Sequence, residues 1–121
     1  MKILVVEDNV TDLKLVHSVL ERVGHDITEA KTAEEAVEIA TKDLPEVILT
    51  DLKLPLMNGV EMAQRLKHAP KTSTIPVIAM SSYLEEFSKR SLRAAGFAAC
   101  IVKPINTRTL TRQVTEALAQ G

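Results

Sequence analysis

The sequence predicts an α/β domain in which five parallel strands alternate with five helices. Short apolar segments recur along the 121 residues, and a segment with helical periodicity follows each of them. Continuous apolar runs of this length are typical of strands that are buried on both faces of a parallel sheet. Acidic side chains directly follow two of the runs, at Glu7-Asp8 and at Asp51. Since ligands of such sheets bind beyond the carboxyl ends of the strands, these acids indicate a site.

The predicted strands are short segments rich in valine, isoleucine, leucine and alanine. They cover residues 3–6, 27–30, 47–50, 76–80 and 98–102. The first and third run straight into acidic residues, and the fifth runs into Lys103. A run of this kind favours a strand over a buried helix because it is too short for a helix and is bounded by polar residues.

The first two helices are predicted from apolar spacing and from capping residues. The first ends at Gly24, a residue that often ends helices. Its apolar positions are Leu13, Val16, Leu20 and Val23. The second begins with a capping box formed by Thr32 and Glu35. Its apolar positions are Ala36, Val37 and Ala40.

Three further helices complete the alternation. The third is predicted over about residues 59–67 and the fourth over about residues 85–95. The fifth is predicted to begin directly after Asn106, which is a favourable N-cap residue. Ile105 and Leu110 are placed to form a hydrophobic staple at its start.

These elements predict a doubly wound sheet. Right-handed crossovers and the flavodoxin-like strand order 2-1-3-4-5 make the first and third strands neighbours. Glu7, Asp8 and Asp51 would then meet at the point where the strand order reverses. Residues 1–121 are predicted to form one domain.

Composition excludes several classes of function. The chain has 15 basic and 16 acidic side chains, so its formal charge of -1 gives no electrostatic argument for binding nucleic acid or an anionic membrane. Aromatic residues make up 2% of the chain, too few for a base-stacking platform. Cys100 is the single cysteine, so no internal disulfide is predicted. No apolar segment reaches the length of a membrane span, and we predict a cytoplasmic protein.

The strand-end residues predict a site for a hard cation and a phosphoryl group. Two like charges about 4 Å apart repel by roughly 4 kcal/mol at an effective dielectric constant of 20, so clustered carboxylates need a cation or a proton. Carboxylate oxygens without histidine or cysteine suit Mg²⁺. Ser81 follows the fourth strand and Lys103 the fifth. A hydroxyl and an ammonium opposite the metal would cradle a phosphoryl group.

Short segments of the chain also match a known family in order and separation. They are Val5-Val6-Glu7-Asp8-Asn9, Thr50-Asp51-Leu52-Lys53-Leu54-Pro55 with Asn58-Gly59, Ile78-Ala79-Met80-Ser81-Ser82, Ala95-Gly96-Phe97 and Lys103-Pro104. On these segments the chain resembles the receiver domain of two-component response regulators, of the single-domain type of chemotaxis regulators. The resemblance covers essentially its whole length.

The resemblance implies a role for each matching site residue. Asp51 would accept a phosphoryl group from a phosphohistidine of a sensor histidine kinase or a phosphotransfer protein. Lys103 and Ser81 would contact the phosphoryl oxygens, and the Lys103-Pro104 peptide bond would be cis. The ligands of Mg²⁺ would be Glu7, Asp8, Asp51 and the backbone carbonyl of Lys53. The chain would catalyse only its own phosphorylation and dephosphorylation, and it would signal through a downstream protein.

Lys53 and Tyr83 occupy the positions that tune the phosphoryl lifetime in this family. A long cationic side chain and a bulky ring would shield the acyl phosphate from water, which predicts slow self-hydrolysis.

The chain departs from the family at Cys100, where an aromatic residue is usual. Cys100 is predicted to be a packing residue, and the alternative is that Tyr83 reports the phosphorylated state instead. Phe97 is expected to add apolar area nearby. The surface of the fourth helix, fifth strand and fifth helix is therefore predicted to be less acidic than usual, and it is a possible homodimer face.

Three other functions are alternatives to this interpretation. A metal-dependent phosphohydrolase uses a similar set of residues but needs an acid two residues after the nucleophile, where this chain has Lys53. A module of the same fold that is not phosphorylated would act through constant interactions. A nucleotide- or flavin-binding module would need a glycine- or hydroxyl-rich first loop rather than Glu7-Asp8-Asn9.

Overall fold

A five-stranded parallel sheet forms the centre of the molecule, in the predicted order β2-β1-β3-β4-β5. The computed structural model describes residues 1–82 and 89–120. The strands are β1 Lys2–Val6, β2 Asp26–Ala30, β3 Val47–Asp51, β4 Val77–Ser82 and β5 Ala99–Lys103. The helices are α1 Val10–Arg22, α2 Ala33–Asp43, α3 Gly59–His68, α4 Lys89–Ala94 and α5 Leu110–Gln120. Within the described ranges, no helix is long and apolar enough to cross a membrane.

The sheet is covered on both faces, which explains the continuous apolar runs. Alternate residues of each strand point to opposite faces. On one face, strand residues such as Ala79 pack with α2, α3 and α4 through Ala36, Leu66 and Leu92. The opposite face is covered by α1 and α5. The buried residues there include Val5, Leu49, Met80, Ile101, Val16 and Val114.

Three strands extend further at their carboxyl ends than the sequence pattern predicted. The ladder pairs Asp51 with Met80 and Ser82 with Lys103. Parallel pairing uses the backbone, so it continues past the last apolar side chain. Three predicted site residues therefore lie within the last paired positions of the strands rather than in the loops that follow: Asp51, Ser81 and Lys103.

Two helix boundaries differ from the prediction. α1 ends at Arg22, and Val23, expected to face the core, is 54% exposed. The chain turns there because Gly24 adopts a left-handed conformation with φ of 97°. At the other boundary, α5 begins at Leu110. Asn106 accepts a hydrogen bond from the Arg108 amide through Oδ1 and thus caps a preceding turn.

The start of α3 lies directly against the end of β3. The Gly59 amide donates a hydrogen bond to the Leu52 carbonyl at 2.9 Å. A Cβ atom at Gly59 would lie 2.4 Å from the Asp51 carbonyl oxygen, far inside van der Waals contact. Asn58 caps the helix by accepting a hydrogen bond from the Glu61 amide. This close approach requires glycine and fixes the backbone around Asp51.

The surface of α4, β5 and α5 is basic and partly apolar. Arg90 and Arg93 are exposed on α4, and Val102 on β5 is 47% exposed. Among the described residues of these three elements, Glu116 is the only acidic one. The expectation that Phe97 adds apolar surface was wrong, since its side chain is buried and packs in the core with Leu92.

Candidate functional site

Lys103 joins three acidic side chains that are far apart in the sequence. Its Nζ atom lies 2.7 Å from Glu7 Oε2 and 3.0 Å from Asp51 Oδ2. Asp12 Oδ2 is 3.4 Å from the same ammonium. The Lys103 side chain is 17% exposed, and that of Glu7 is 0% exposed. The ends of β1, β3 and β5 therefore converge on one charged centre.

Strand alternation explains why these three side chains meet. In a strand, residues two positions apart project from the same face. Each of the three charged residues follows by two positions an apolar residue that packs on the α1 and α5 face: Glu7 follows Val5, Asp51 follows Leu49, and Lys103 follows Ile101. Ser81 has the opposite parity, since it continues the alternation of Ala79 on the other face. The ammonium thus approaches the carboxylates from the side of α1 and α5.

Burial and charge perturb the ionisation of the central pair. Burial raises the pKa of Glu7 from 4.5 to about 7, against the hydrogen bonds from Lys103 and from the Asn9 amide, and the nearby Asp51 charge adds to the rise. Burial also lowers the pKa of Lys103, but hydrogen bonds and charges from Glu7 and Asp51 outweigh it and leave this pKa above 10.5. The ammonium therefore stays charged, whereas Glu7 is poised to exchange a proton or to gain a second cation.

Asp51 is held by donors on both carboxylate oxygens. Lys103 contacts Oδ2, and the Lys53 amide donates to Oδ1 at 3.2 Å. Asp51 is only 6% exposed. The Lys53 side chain extends into solvent. Two hydrogen bonds thus fix the direction in which the Asp51 carboxylate presents its oxygens.

Glu7, Asp8 and Asp51 could hold a metal ion together. One ligand oxygen from each lies within 4.8 Å of those of the other two. Asp8 is exposed, while Glu7 and Asp51 are buried. No hydrogen bond or ion pair joins the Asp8 carboxylate to another described residue, so it is available as a ligand. An all-oxygen set of this kind fits a hard cation such as Mg²⁺.

The structure adds one acidic residue that the sequence analysis missed. Asp12 lies in the first turn of α1, and its amide donates to Asn9 Oδ1 at 3.0 Å. Asn9 is thus the cap of α1, and the capped turn directs Asp12 back toward Lys103. The available signal was the spacing of Asn9 and Asp12, which resembles a capping box. That spacing predicts a helix start and carries no information about Lys103.

The remaining predicted site residues lie on the β4 and β5 side. Ser81 is buried, with its Oγ atom 3.5 Å from Cys100 Sγ. Cys100 packs against the core on that face, in agreement with the packing interpretation. The Lys103-Pro104 peptide bond is cis. Tyr83 lies outside the described residues.

His17 forms a surface charge cluster with two glutamates on α1 and β2. Its Nδ1 atom is 2.6 Å from Glu29 and its Nε2 atom 3.1 Å from Glu21. Partial burial lowers the pKa of His17, but the hydrogen bonds and charges of the two glutamates outweigh it, so this pKa is raised above 6.5.

Comparison with known proteins gives consistent results. A family model described as the response regulator receiver domain matches residues 3–115. The chain is 30% identical to protein PilH of Pseudomonas aeruginosa over 118 residues, which cover 98% of each chain. It is 32% identical to the polar-differentiation response regulator DivK of Brucella ovis over 104 residues, which cover 86% of this chain and 85% of DivK. The solved structure of the chemotaxis response regulator CheY4 of Vibrio cholerae matches with a TM-score of 0.89 and 25% identity, over 96% of this chain and 97% of that one.

Proposed function

Because the chain belongs to the family of response regulator receiver domains, we propose that it is a phosphorylation switch with Asp51 as the phosphoryl acceptor. Receiver domains of this family act in two-component signalling and are switches rather than conventional enzymes. The observation that carries the proposal is the position of Asp51. Its carboxylate lies 3.0 Å from the Lys103 ammonium, and one of its oxygens lies within 4.8 Å of ligand oxygens of Glu7 and Asp8.

The proposed reaction is a direct phosphoryl transfer. An oxygen of Asp51 attacks phosphorus, and the new O–P bond forms while the P–N bond to the donor histidine breaks. The electron pair of the broken bond leaves on the imidazole ring. In the reverse switch, the oxygen of a water molecule attacks phosphorus and the Asp51 carboxylate leaves. Lys103 neutralises charge on the phosphoryl oxygens in both directions.

Mg²⁺ is the proposed cofactor. Glu7, Asp8 and Asp51 would hold it with the backbone carbonyl of Lys53, and the grouped oxygens support this assignment. When bound, the ion neutralises negative charge on the phosphoryl group and its ligands. Asp8 lacks a partner among the described residues, and Glu7 is buried with a raised pKa, so both carboxylates gain from a divalent cation.

We further propose that Ser81 donates a hydrogen bond to the phosphoryl group, and that Lys53 and Tyr83 slow its hydrolysis by limiting the access of water. Lys53 stands two residues beyond the acceptor, and its amide donates a hydrogen bond to Asp51 Oδ1, so its side chain begins close to the site. If the shielding is real, the phosphorylated Tyr83→Ala variant will lose its label faster than the parent. Equal decay of the two proteins would argue against a shielding ring.

The partners of this family are histidine kinases or phosphotransfer proteins on one side and downstream targets on the other. For this chain we propose a cytoplasmic location and a homodimer face on α4, β5 and α5. The exposed Val102 and the scarcity of acidic residues on these elements support that face. Sedimentation velocity with and without phosphorylation will test it, because a Val102→Glu variant should weaken any dimer that uses this face.

Intact-mass analysis after treatment with acetyl phosphate and Mg²⁺ tests the central proposal. We expect the parent to gain the mass of one phosphoryl group and the Asp51→Asn variant to gain none. Asp26→Asn is the matched control, because Asp26 is an exposed aspartate at the opposite end of the sheet. EDTA should abolish the mass gain of the parent. An unlabelled parent, or a labelled Asp51→Asn variant, would contradict the assignment.

A further inference from the structure

Ser81 and Cys100 form a hydroxyl–thiol pair beside the proposed phosphoryl site. Ser81 is 6% exposed, and its Oγ atom lies 3.5 Å from Cys100 Sγ. Cys100 is paired in the ladder with Ala79, two residues before Ser81, so both side chains project from the same face of the sheet. Among the described residues, 1–82 and 89–120, Cys100 Sγ is the one hydrogen-bond partner of the Ser81 hydroxyl. A buried hydroxyl is therefore directed toward β5.

Asp51 makes its hydrogen bonds with residues other than Ser81 and Cys100 in the part of the chain that the structure describes. Its oxygens accept hydrogen bonds from Lys103 and from the Lys53 amide. No hydrogen bond joins Asp51 to Ser81 in the part of the chain that the structure describes. A hydroxyl has one proton to donate, and a phosphoryl oxygen is a stronger acceptor than a thiol sulfur. A Ser81 hydroxyl that donates to Cys100 Sγ must therefore give up that hydrogen bond in order to donate to a phosphoryl group on Asp51.

We propose that Cys100 is a positioning residue that restrains the Ser81 hydroxyl while Asp51 is unphosphorylated. The inference rests on the proposed function and deepens it, because it assigns a role to the pairing of these two side chains. When the hydroxyl is the donor of the contact with Cys100 Sγ, the thiol competes with the phosphoryl group for the Ser81 proton. Cys100 thereby slows phosphorylation of Asp51 without contacting the reacting atoms.

The test measures phosphorylation rates in the parent, in the Ser81→Ala variant and in four Cys100 variants. Cys100→Ala removes the thiol and leaves space, whereas Cys100→Val removes it and fills the space. Each is made with Ser81 intact and again together with Ser81→Ala. The rate of mass gain is measured with acetyl phosphate and Mg²⁺, and urea unfolding verifies that each variant is folded.

We expect both single replacements of Cys100 to speed phosphorylation about two- to twelvefold, the range for loss of one neutral hydrogen bond. In the Ser81→Ala background neither replacement should change the rate, because the hydroxyl that the thiol restrains is gone. A packing role would instead give an effect with alanine but not with valine, and that effect would persist without Ser81.

Several results would overturn the inference. Unchanged rates in both Cys100 variants would show that the thiol restrains nothing, and an effect that survives Ser81→Ala would show that it acts by another route. These failures leave the proposed function intact as long as the parent is labelled at Asp51. A parent that takes up no phosphoryl group overturns the proposed function, and this inference falls with it.

Discussion

Replacing Gly59 with alanine tests whether the backbone at the end of β3 is as tightly held as its contacts indicate. The added Cβ would lie 2.4 Å from the Asp51 carbonyl oxygen and 3.0 Å from Leu52 Cα. Ordinary contact begins at 3.4 Å, so α3 and β3 must separate by about 1 Å. Both contacted atoms belong to the backbone, and no side-chain rotation relieves the clash.

The expected loss of stability can be worked from three contributions. Overpacking of a tight contact costs about 1–3 kcal/mol. Separation also weakens the hydrogen bond from the Gly59 amide to the Leu52 carbonyl, which contributes about 0.5–1.5 kcal/mol. The higher helix propensity of alanine offsets up to about 1 kcal/mol of this loss of stability. We therefore expect the free energy of unfolding to fall by about 0.5–4.5 kcal/mol.

Urea unfolding followed by circular dichroism measures this change, and Gly24→Ala is the control. A Cβ at Gly24 meets nothing within 4 Å, but its φ of +97° is unfavourable for alanine. Gly24→Ala should thus lose stability through backbone strain alone and keep the phosphorylation rate of the parent. Gly59→Ala should also slow phosphorylation at least about tenfold, because it displaces the backbone around the acceptor. A Gly59→Ala protein with parental stability and rate would refute the reasoning.

Three further predictions concern the charged groups. Mg²⁺ at ten times its Kd should stabilise the parent by about 1.4 kcal/mol in urea unfolding. The Asp8→Asn variant should lose most of that stabilisation. If Mg²⁺ stabilises the variant as much as the parent, the ion binds elsewhere. Lys103→Met leaves Glu7 and Asp51 buried without their ammonium, so in EDTA we expect the free energy of unfolding to fall by about 1–3 kcal/mol; unchanged stability would mean that the carboxylates need no counter-charge. The folded pKa of His17 is raised above 6.5, so its contribution is complete below pH 6.5 and is lost as the pH rises through the folded value. His17→Gln should thus cost up to about 1 kcal/mol in mildly acidic solution and almost nothing in alkaline solution, and a pH-independent cost would exclude the ion pairs as its source.

The helical cover on both faces of the sheet could be predicted because it follows from local patterns, and the strand order could be predicted from the rule of right-handed crossovers and the flavodoxin-like arrangement. Each apolar run is short and each helical segment has one apolar stripe, so a parallel sheet with helices on both faces is the arrangement that buries them all. The match of the chain to the receiver family, also predicted, depends on short segments whose separations the sequence displays directly. Boundaries were less accurate. Val23 fits the helical spacing, yet it is exposed because Gly24 turns the chain one residue later.

The sequence by itself determined which chemical groups would stand at the carboxyl ends of the strands: Glu7, Asp8, Asp51, Ser81 and Lys103. That information is local, since it needs only the position of each residue relative to its own strand. Only the tertiary structure decided which of them touch. Lys103 meets Glu7 across 96 residues of sequence, Asp12 joins them through a capped turn, and Ser81 pairs with Cys100. Such contacts depend on strand register and on the face from which each side chain projects, and both are set only when the strands pair and the helices pack.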